Sequence, residues 1–341
     1  MGSTLRVAVI NPPFPSPTRP GQWITVPPEG YGGVQWVAAN LLDGLLALGH
    51  EVSLLGAPDS RSFHPRLTVI PAATQAEIKE WVGRAYVDIV HDHTNGIVGP
   101  EETRSGVAYL STHHLTGQPR YPGNCVYLSA AQRRNAGATD RAPVIRIPVN
   151  VSRYEIARRK GDFLLFLGRV SAHKGALEAA AFARAAGLPV VIAGPSWEPE
   201  YRAQVEATGG ASVKFLGEVG GRQRLDLLAT ARAVLVLSQP KAGPWGGTWC
   251  EPGATVVSEA AASGTPVIAT FNGCLPEIVP HVGHLVPFGT AFDPAAAQEL
   301  LKAGPEPAVL RSEAGAQWGH VRIASQYLDL YQAVISGACW Q

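Results

Sequence analysis

Short apolar runs alternate with helical stretches along most of the chain, and this alternation constrains the fold more than any other feature. Residues 163–167 (FLLFL) are continuously apolar, an alanine-rich helical stretch follows them, and Val190–Ala193 is the next apolar run. Strands that are buried on both faces read as continuous apolar runs, and strands that alternate with helices form a parallel sheet covered by helices. The first half repeats this order from residues 5–10 onward. The sequence therefore predicts an α/β fold.

The length of the chain predicts two domains. A sequence of 341 residues with 46% hydrophobic content exceeds one ordinary core and suits two domains of roughly 150 residues. We predict a first domain over residues 1–152, a second over 153–320, and a terminal helix within 321–341 that packs back on the first domain. We also expect a strand at residues 144–147 and a terminal packing helix over the helically spaced residues 318–335.

The composition argues against several classes of partner. Charged residues make up 16% of the chain and the net charge is +1, so no overall field favours nucleic acid or an anionic membrane. No apolar run reaches membrane-spanning length, and the first one is too short for a signal-peptide core, so we expect a cytoplasmic protein. The four cysteines are scattered without CxxC spacing, so neither a structural zinc nor a disulfide framework is indicated.

The stretch over residues 249–270 combines two glutamates with a predicted helix start. Glu251 precedes the helix and Glu259 lies within it, while proline and glycine between them prevent the helix from extending backward. The backbone amides at the predicted helix start would have no acceptor within the helix and would suit a phosphate. A carboxylate beside them would suit the hydroxyls of a sugar. Taken alone, the stretch also allows the more ordinary interpretation of a solvated helix residue and a cap-region charge. The donor-binding candidates that follow the first glutamate are Pro252, Gly253, Ala254, Thr255 and Val256.

Basic residues and glycines mark two further turns. Arg169 and Lys174 flank a turn after the 163–167 strand. The planar guanidinium of an arginine and the flexible ammonium of a lysine together suit a diphosphate. Gly32 and Gly33 open a helix, where backbone can approach a phosphate closely. The alternatives are two solvated loop cations and a purely structural loop-to-helix turn.

Histidines cluster after two predicted strands of the first half. They are His91 and His93 after one strand, and His113 and His114 after the other. The carboxyl ends of parallel strands form the ligand crevice of open α/β sheets. A metal pair would lack a third ligand, so we predict no metal site and instead expect contact with a sugar hydroxyl or a leaving oxygen.

Ordered motifs carry a resemblance over nearly the whole chain. FLGRVSAHKG, VVIAGP, VKFLGEV, EPGATVVSEAAASGTPVIAT and NGCLPEIV, together with GYGGVQ, VHDH and STHH, resemble the retaining GT-B glycosyltransferases of family 4. The resemblance implies two Rossmann-like domains with parallel sheets facing a central cleft. It also implies transfer of a sugar from a nucleotide diphosphate donor (UDP, GDP or dTDP type), without a metal, to a hydroxyl of a small molecule or oligosaccharide.

The resemblance also implies roles for individual residues. Catalytic or phosphate-binding roles fall on His113, Arg169, Lys174 and Glu251, and the ribose contact falls on Glu259. Residues 239–250 depart from the family pattern as an apparent insertion with two tryptophans, Trp245 and Trp249. We expect a member of an antibiotic pathway of the orthosomycin (avilamycin) type. A GT-B nucleotide-sugar epimerase and a non-catalytic nucleotide-sugar binding protein stay open as alternatives.

Overall fold

The computed structural model describes residues 4–244 and 246–340. Its contacts divide the chain into two compact units. The first unit runs to Asn150 and takes up the chain again from Trp318, and the second unit is Val151–Gln317. Trp245, one of the two tryptophans singled out above, lies outside the described residues.

The first unit contains one parallel sheet of six strands in the order β3-β2-β1-β4-β5-β6. Its strands and first helices are β1 (Arg6–Ile10), α1 (Gly33–Ala47), β2 (Glu51–Gly56), β3 (Leu67–Pro71), α2 (Gln75–Arg84), β4 (Ile89–Asp92), β5 (Ala108–Thr112), β6 (Cys125–Val126) and α3 (Ala130–Asn135). This strand order is that of a Rossmann fold.

Both faces of this sheet are covered, which explains the continuous apolar runs. Val7 and Val9 of β1 belong to one hydrophobic cluster, whereas Ala8 and Ile10 belong to another. Successive side chains of a strand point to opposite faces, so a strand at the centre of a two-sided core must be apolar at every position.

The second unit repeats the same architecture with the strand order β12-β11-β10-β7-β8-β9. Its elements are β7 (Leu164–Leu167), α4 (Ala176–Ala186), β8 (Val190–Ala193), α5 (Pro199–Gly209), β9 (Val213–Gly217), α6 (Gly221–Thr230), β10 (Ala233–Val236), α7 (Thr255–Ala262), β11 (Val267–Thr270), α8 (Leu275–Ile278), β12 (Gly283–Val286), α9 (Pro294–Lys302) and α10 (Pro307–Trp318). All its strand pairs are parallel.

The chain then returns to the first unit through α11 (His320–Ile335). This helix packs on α1 so closely that a Cβ on Gly44 would lie 2.3 Å from the carbonyl oxygen of His320. Its inner face, with Ile323, Tyr327 and Tyr331, joins the same core cluster as β1. α11 therefore covers one face of the first sheet.

Two predictions about this region were wrong in extent. The expected helix over 318–335 is broken at Gly319, because Val149 pairs there: its amide donates to the carbonyl of Trp318 at 2.7 Å, and its carbonyl accepts from His320 at 3.0 Å. The expected strand over 144–147 is only an isolated bridge between Tyr127 and Val144. A proline on either side of 144–147 removes ladder donors and limits the pairing.

Candidate active site

Glu251 is the centre of a buried polar cluster at the carboxyl edge of the second sheet. Its side chain is 6% exposed, and both carboxylate oxygens accept hydrogen bonds from Lys174 Nζ, at 2.9 and 2.8 Å. Ser238, just after β10, donates at 2.7 Å, and the indole of Trp249 donates at 3.1 Å. Burial acts to raise the pKa of Glu251, but the charge of Lys174 and these hydrogen bonds outweigh it, so the pKa lies below its ordinary value.

The backbone of Glu251 is fixed by the turn after β11. Its amide donates to Asn272 Oδ1 at 2.7 Å, and its carbonyl accepts from the amide of Cys274 at 2.8 Å. Gly273 between them has φ 55°, and a Cβ there would lie 2.2 Å from the carbonyl oxygen of Glu251. Only glycine fits this position without displacing Glu251.

Arg169 and Lys174 both lie beyond the end of β7. The strand pairing continues past the sheet through a bridge between Val170 and Ser196, and the guanidinium of Arg169 lies 4.8 Å from the ring centre of Trp197. The two cations share a neighbour in buried His173, whose pKa is lowered to about 4 by burial and by the charges of Lys174 and Arg169. The structure thus brings both predicted phosphate-binding cations to one end of the sheet.

Glu259 lies inside α7 and is 1% exposed. One carboxylate oxygen accepts from the hydroxyl of Tyr154 at 3.0 Å, and the other accepts from the guanidinium of Arg224, which is also buried. It is therefore not the solvated helix residue of the ordinary interpretation. Each carboxylate oxygen has two lone pairs, so both retain capacity for a further donor.

The N-terminus of α7 has the geometry that the sequence predicted. The helix begins at Thr255, one residue after the predicted start, and Ala254 is its N-cap residue. Ala254 has φ 50°, a left-handed conformation that alanine rarely adopts. The first amides of a helix lack intrahelical acceptors, so those of Ala254, Thr255 and Val256 suit an anion. Pro252 and Gly253 join this turn directly to Glu251.

Gly32 and Gly33 of the first unit differ in their surroundings. Gly32 has φ 156°, and a Cβ there would meet Ile24 at 2.8 Å and Pro28 at 3.0 Å. A Cβ on Gly33, the first residue of α1, would meet nothing within 4 Å. Gly32 is thus required by packing, whereas Gly33 leaves its backbone open.

His113 follows β5 at the carboxyl edge of the first sheet and is buried. Its Nε2 lies 3.0 Å from the carbonyl oxygen of Gly117, so this nitrogen carries the proton and donates. Burial lowers the pKa of His113 to about 4, so the ring is neutral at pH 7. Its Nδ1 is then a buried acceptor without a partner among the described residues.

The other histidines of the two clusters are tied into the fold. His91 contacts the hydroxyl of Tyr331 through Nδ1 and that of Thr112 through Nε2, both at 2.7 Å. His93 Nδ1 lies 2.8 Å from His114 Nε2. Within residues 4–244 and 246–340, no three His, Cys, Asp or Glu side chains are grouped so that they could hold a metal ion.

Several residues of the cluster were not predicted from sequence. Ser238 lies just after a strand, and Trp249 lies two residues before Glu251. These positions in the sequence could have indicated both residues. Arg224 and Tyr154 reach Glu259 from other elements, and no local pattern marks them.

Two Rossmann-like sheets on one chain, the second with this acidic and basic cluster at its carboxyl edge, define the class of GT-B proteins. The model of the family described as Glycosyl transferases group 1 matches residues 152–306. The crystal structure of AviGT4, a glycosyltransferase involved in avilamycin A biosynthesis, is 55% identical, with a TM-score of 0.95 over 99% of this chain and 100% of that one. The chain therefore belongs to the group 1 glycosyltransferases, and the predicted α/β fold of two Rossmann-like domains is confirmed.

More distant structures show the fold alone. A sucrose-phosphate synthase from Thermosynechococcus elongatus is 16% identical, with a TM-score of 0.69 over 98% of this chain and 100% of that one. HepE from Anabaena, solved with UDP-glucose, is also 16% identical, with a TM-score of 0.69 over 96% of this chain and 100% of that one. A comparison with curated proteins gave no significant match. No helix in the described part of the chain is long and apolar enough to cross a membrane.

Proposed function

We propose that this glycosyltransferase is a retaining enzyme of family 4 that moves a sugar from a nucleotide diphosphate donor to a hydroxyl of a small-molecule or oligosaccharide acceptor. The observation that carries the proposal is the ion pair between buried Glu251 and partly buried Lys174, joined through the Pro252–Gly253 turn to the start of α7. The similarity to AviGT4 supports a place in antibiotic biosynthesis, and the HepE complex supports a uridine diphosphate sugar as the donor class. A cytoplasmic location stays a prediction.

The second unit supplies the groups that a departing diphosphate needs. Arg169, the third proton of the Lys174 ammonium and the amides at the start of α7 would stabilise the charge that develops on the leaving oxygen. These fixed donors take the place of a metal ion, so the reaction is proposed to be metal-independent. Glu251 would accept hydrogen bonds from hydroxyls of the transferred sugar, and Glu259 from those of the nucleotide ribose.

The first unit is proposed to bind the acceptor. The unpartnered Nδ1 of His113 suits a hydroxyl of the acceptor or the sugar, and the open backbone of Gly33 suits close approach to a phosphate. In the proposed step the acceptor oxygen bonds to the anomeric carbon on the face that the diphosphate leaves. The bond between the anomeric carbon and the diphosphate oxygen breaks. An oxygen of the leaving diphosphate takes the proton of the acceptor hydroxyl.

The test is product analysis with UDP, GDP and dTDP sugars and a panel of hydroxylated acceptors. We expect nucleotide diphosphate release that depends on an acceptor, a retained anomeric configuration by NMR, and an unchanged rate in EDTA. An inverted product would overturn the mechanism, and a rate lost in EDTA would overturn metal independence. An epimer formed without acceptor would indicate the epimerase, and donor-induced stabilisation without turnover would indicate the binding protein.

Glu259→Gln is expected to raise the KM for the donor about tenfold with little change in kcat, because it weakens a ribose contact made equally in the ground and transition states. Steady-state kinetics at varied donor concentration measure this. The amide keeps the shape of the side chain but leaves Arg224 without its anion, so melting temperature is followed in parallel. Glu206→Gln, which removes an exposed carboxylate paired with Arg202 on α5, is the control. An unchanged donor KM would remove the ribose assignment.

A further inference from the structure

The two oxygens of Glu251 are held unequally. Oε2 accepts from three donors: Lys174 at 2.8 Å, Ser238 at 2.7 Å and Trp249 at 3.1 Å. Oε1 accepts only from Lys174, at 2.9 Å, among the described residues. Since a carboxylate oxygen offers two lone pairs, Oε2 is saturated and Oε1 has room for one more donor. The carboxylate is thus an oriented acceptor with one available oxygen.

Trp249 contributes to this orientation in two ways. Its indole N–H is a fixed donor to Oε2, and its ring centre lies 4.4 Å from the ammonium nitrogen of Lys174. The indole is itself immobilised, because it is 7% exposed and packs against the ring of His173 at 4.8 Å. Its backbone donates to Lys241 and accepts from Asn272. One side chain therefore contacts both members of the ion pair.

We propose that Trp249 is a positioning residue that fixes Oε2 of Glu251, so that Oε1 accepts a hydrogen bond from a hydroxyl of the donor sugar. The inference rests on the proposed function, because it takes Glu251 as the sugar-binding carboxylate. Trp249 belongs to residues 239–250, the segment that departs from the family pattern. This chain thus takes the support for its sugar-binding carboxylate from that segment.

The test compares Trp249→Phe with the unaltered protein. Phenylalanine keeps an aromatic ring beside Lys174 but removes the N–H donor, so Oε2 loses one of its three bonds. The probes are UDP with UDP-glucose, GDP with GDP-mannose, and dTDP with dTDP-glucose, and the pair that the unaltered protein binds best is used. We expect the Kd of the sugar-free diphosphate to stay within about twofold and that of the nucleotide sugar to rise about tenfold.

The pH dependence of kcat/KM is a further measurement, and a purely structural role of Trp249 would not change it. Removing a donor to the ionised carboxylate raises the pKa of Glu251, so the acid limb of kcat/KM is expected to move to higher pH. Trp340→Phe is the matched control, because it also removes one indole hydrogen bond, to the carbonyl of Cys125 at 3.0 Å in the first unit. It is expected to leave both Kd values and the profile unchanged.

Ser238→Ala gives a second measurement if Trp249→Phe folds poorly. It removes another donor from the same oxygen, so the same selective loss of nucleotide-sugar binding is expected. Unchanged binding in both variants, or equal weakening of the sugar-free and sugar-bearing nucleotides, would overturn the positioning role. If the unaltered protein bound none of the six nucleotides, the proposed function itself would fail, and the inference with it.

Discussion

Replacing Arg169 by alanine is expected to lower kcat/KM about a thousandfold, with most of the loss in kcat. The guanidinium lies beyond β7 next to Trp197, and its charge, like that of Lys174, lowers the pKa of His173. In the proposed mechanism it stabilises charge that develops only as the diphosphate leaves, and losing one such preorganised donor typically lowers kcat by about two to three orders of magnitude. Single-turnover measurements with saturating donor isolate this step.

Arg202→Ala provides the matched control for Arg169→Ala. Arg202 also lies over an aromatic ring, that of Phe215 at 4.5 Å, but it is exposed on α5 and pairs with Glu206 one helical turn away. Its loss is expected to leave kcat/KM within about twofold. Comparable activities of the two alanine variants would argue against a role for Arg169 in leaving-group departure.

Lys174→Met is expected to lower the free energy of unfolding by about 3 kcal/mol at pH 7 and to abolish most activity. The substitution leaves the carboxylate of Glu251 buried without its cation, and breaking a buried ion pair from one side is strongly destabilising. Urea denaturation measures the stability change. Lys302→Met, at an exposed pair with Glu299, is expected to change neither stability nor activity measurably.

The sign of the pH dependence distinguishes the loss of the Lys174 charge from the loss of packing by the lysine side chain. With Lys174 present, the folded-state pKa of Glu251 is depressed, so its stabilising contribution exists above the unfolded pKa and is lost as pH falls through the folded pKa. Without Lys174, burial is opposed only by the hydrogen bonds from Ser238 and Trp249 and is expected to outweigh them, so that pKa rises and the stability of the variant falls as pH rises above the ordinary glutamate pKa. The difference from the unaltered protein should therefore widen between about pH 4 and pH 7.

The double variant Lys174→Met with Glu251→Gln completes the test. It removes both charges together and is expected to recover most of the lost stability while activity stays low. A stability deficit that does not depend on pH, or that persists in the double variant, would mean that packing of the lysine stem causes the effect.

The strands of the two sheets could be predicted because burial on both faces leaves a strong sequence signal. Residues 163–167 and Val190–Ala193 were predicted to within one residue of β7 and β8. β12, with sequence GHLV, was missed because it is short and carries a polar residue and a glycine. Helix α2 was missed because most of its residues are exposed and only Ile78 and Val82 are buried. Elements with little apolar surface give little periodicity to detect.

The position of the site could be predicted, whereas its internal bonding could not. Strand ends and a helix start are local features, so the sequence indicated that Arg169, Lys174 and Glu251 belong to one edge of the sheet. The pairing of Glu259 with Arg224 joins α7 to α6, and only the tertiary packing of these helices brings the two charges together. The saturation of Oε2 of Glu251 likewise depends on Lys174, which follows β7, and on two donors from the connection between β10 and α7.

The return of the chain through α11 has a consequence for the order in which the protein matures on the ribosome. The second unit is one uninterrupted segment, so it has all its strands once residue 317 has emerged. The first unit must wait for residues 320–335, because Ile323, Tyr327 and Tyr331 fill its core. The part of the first unit that ends at Asn150 therefore leaves an apolar face uncovered while Val151–Gln317 is being synthesised. This nascent intermediate is the one most in need of protection from aggregation.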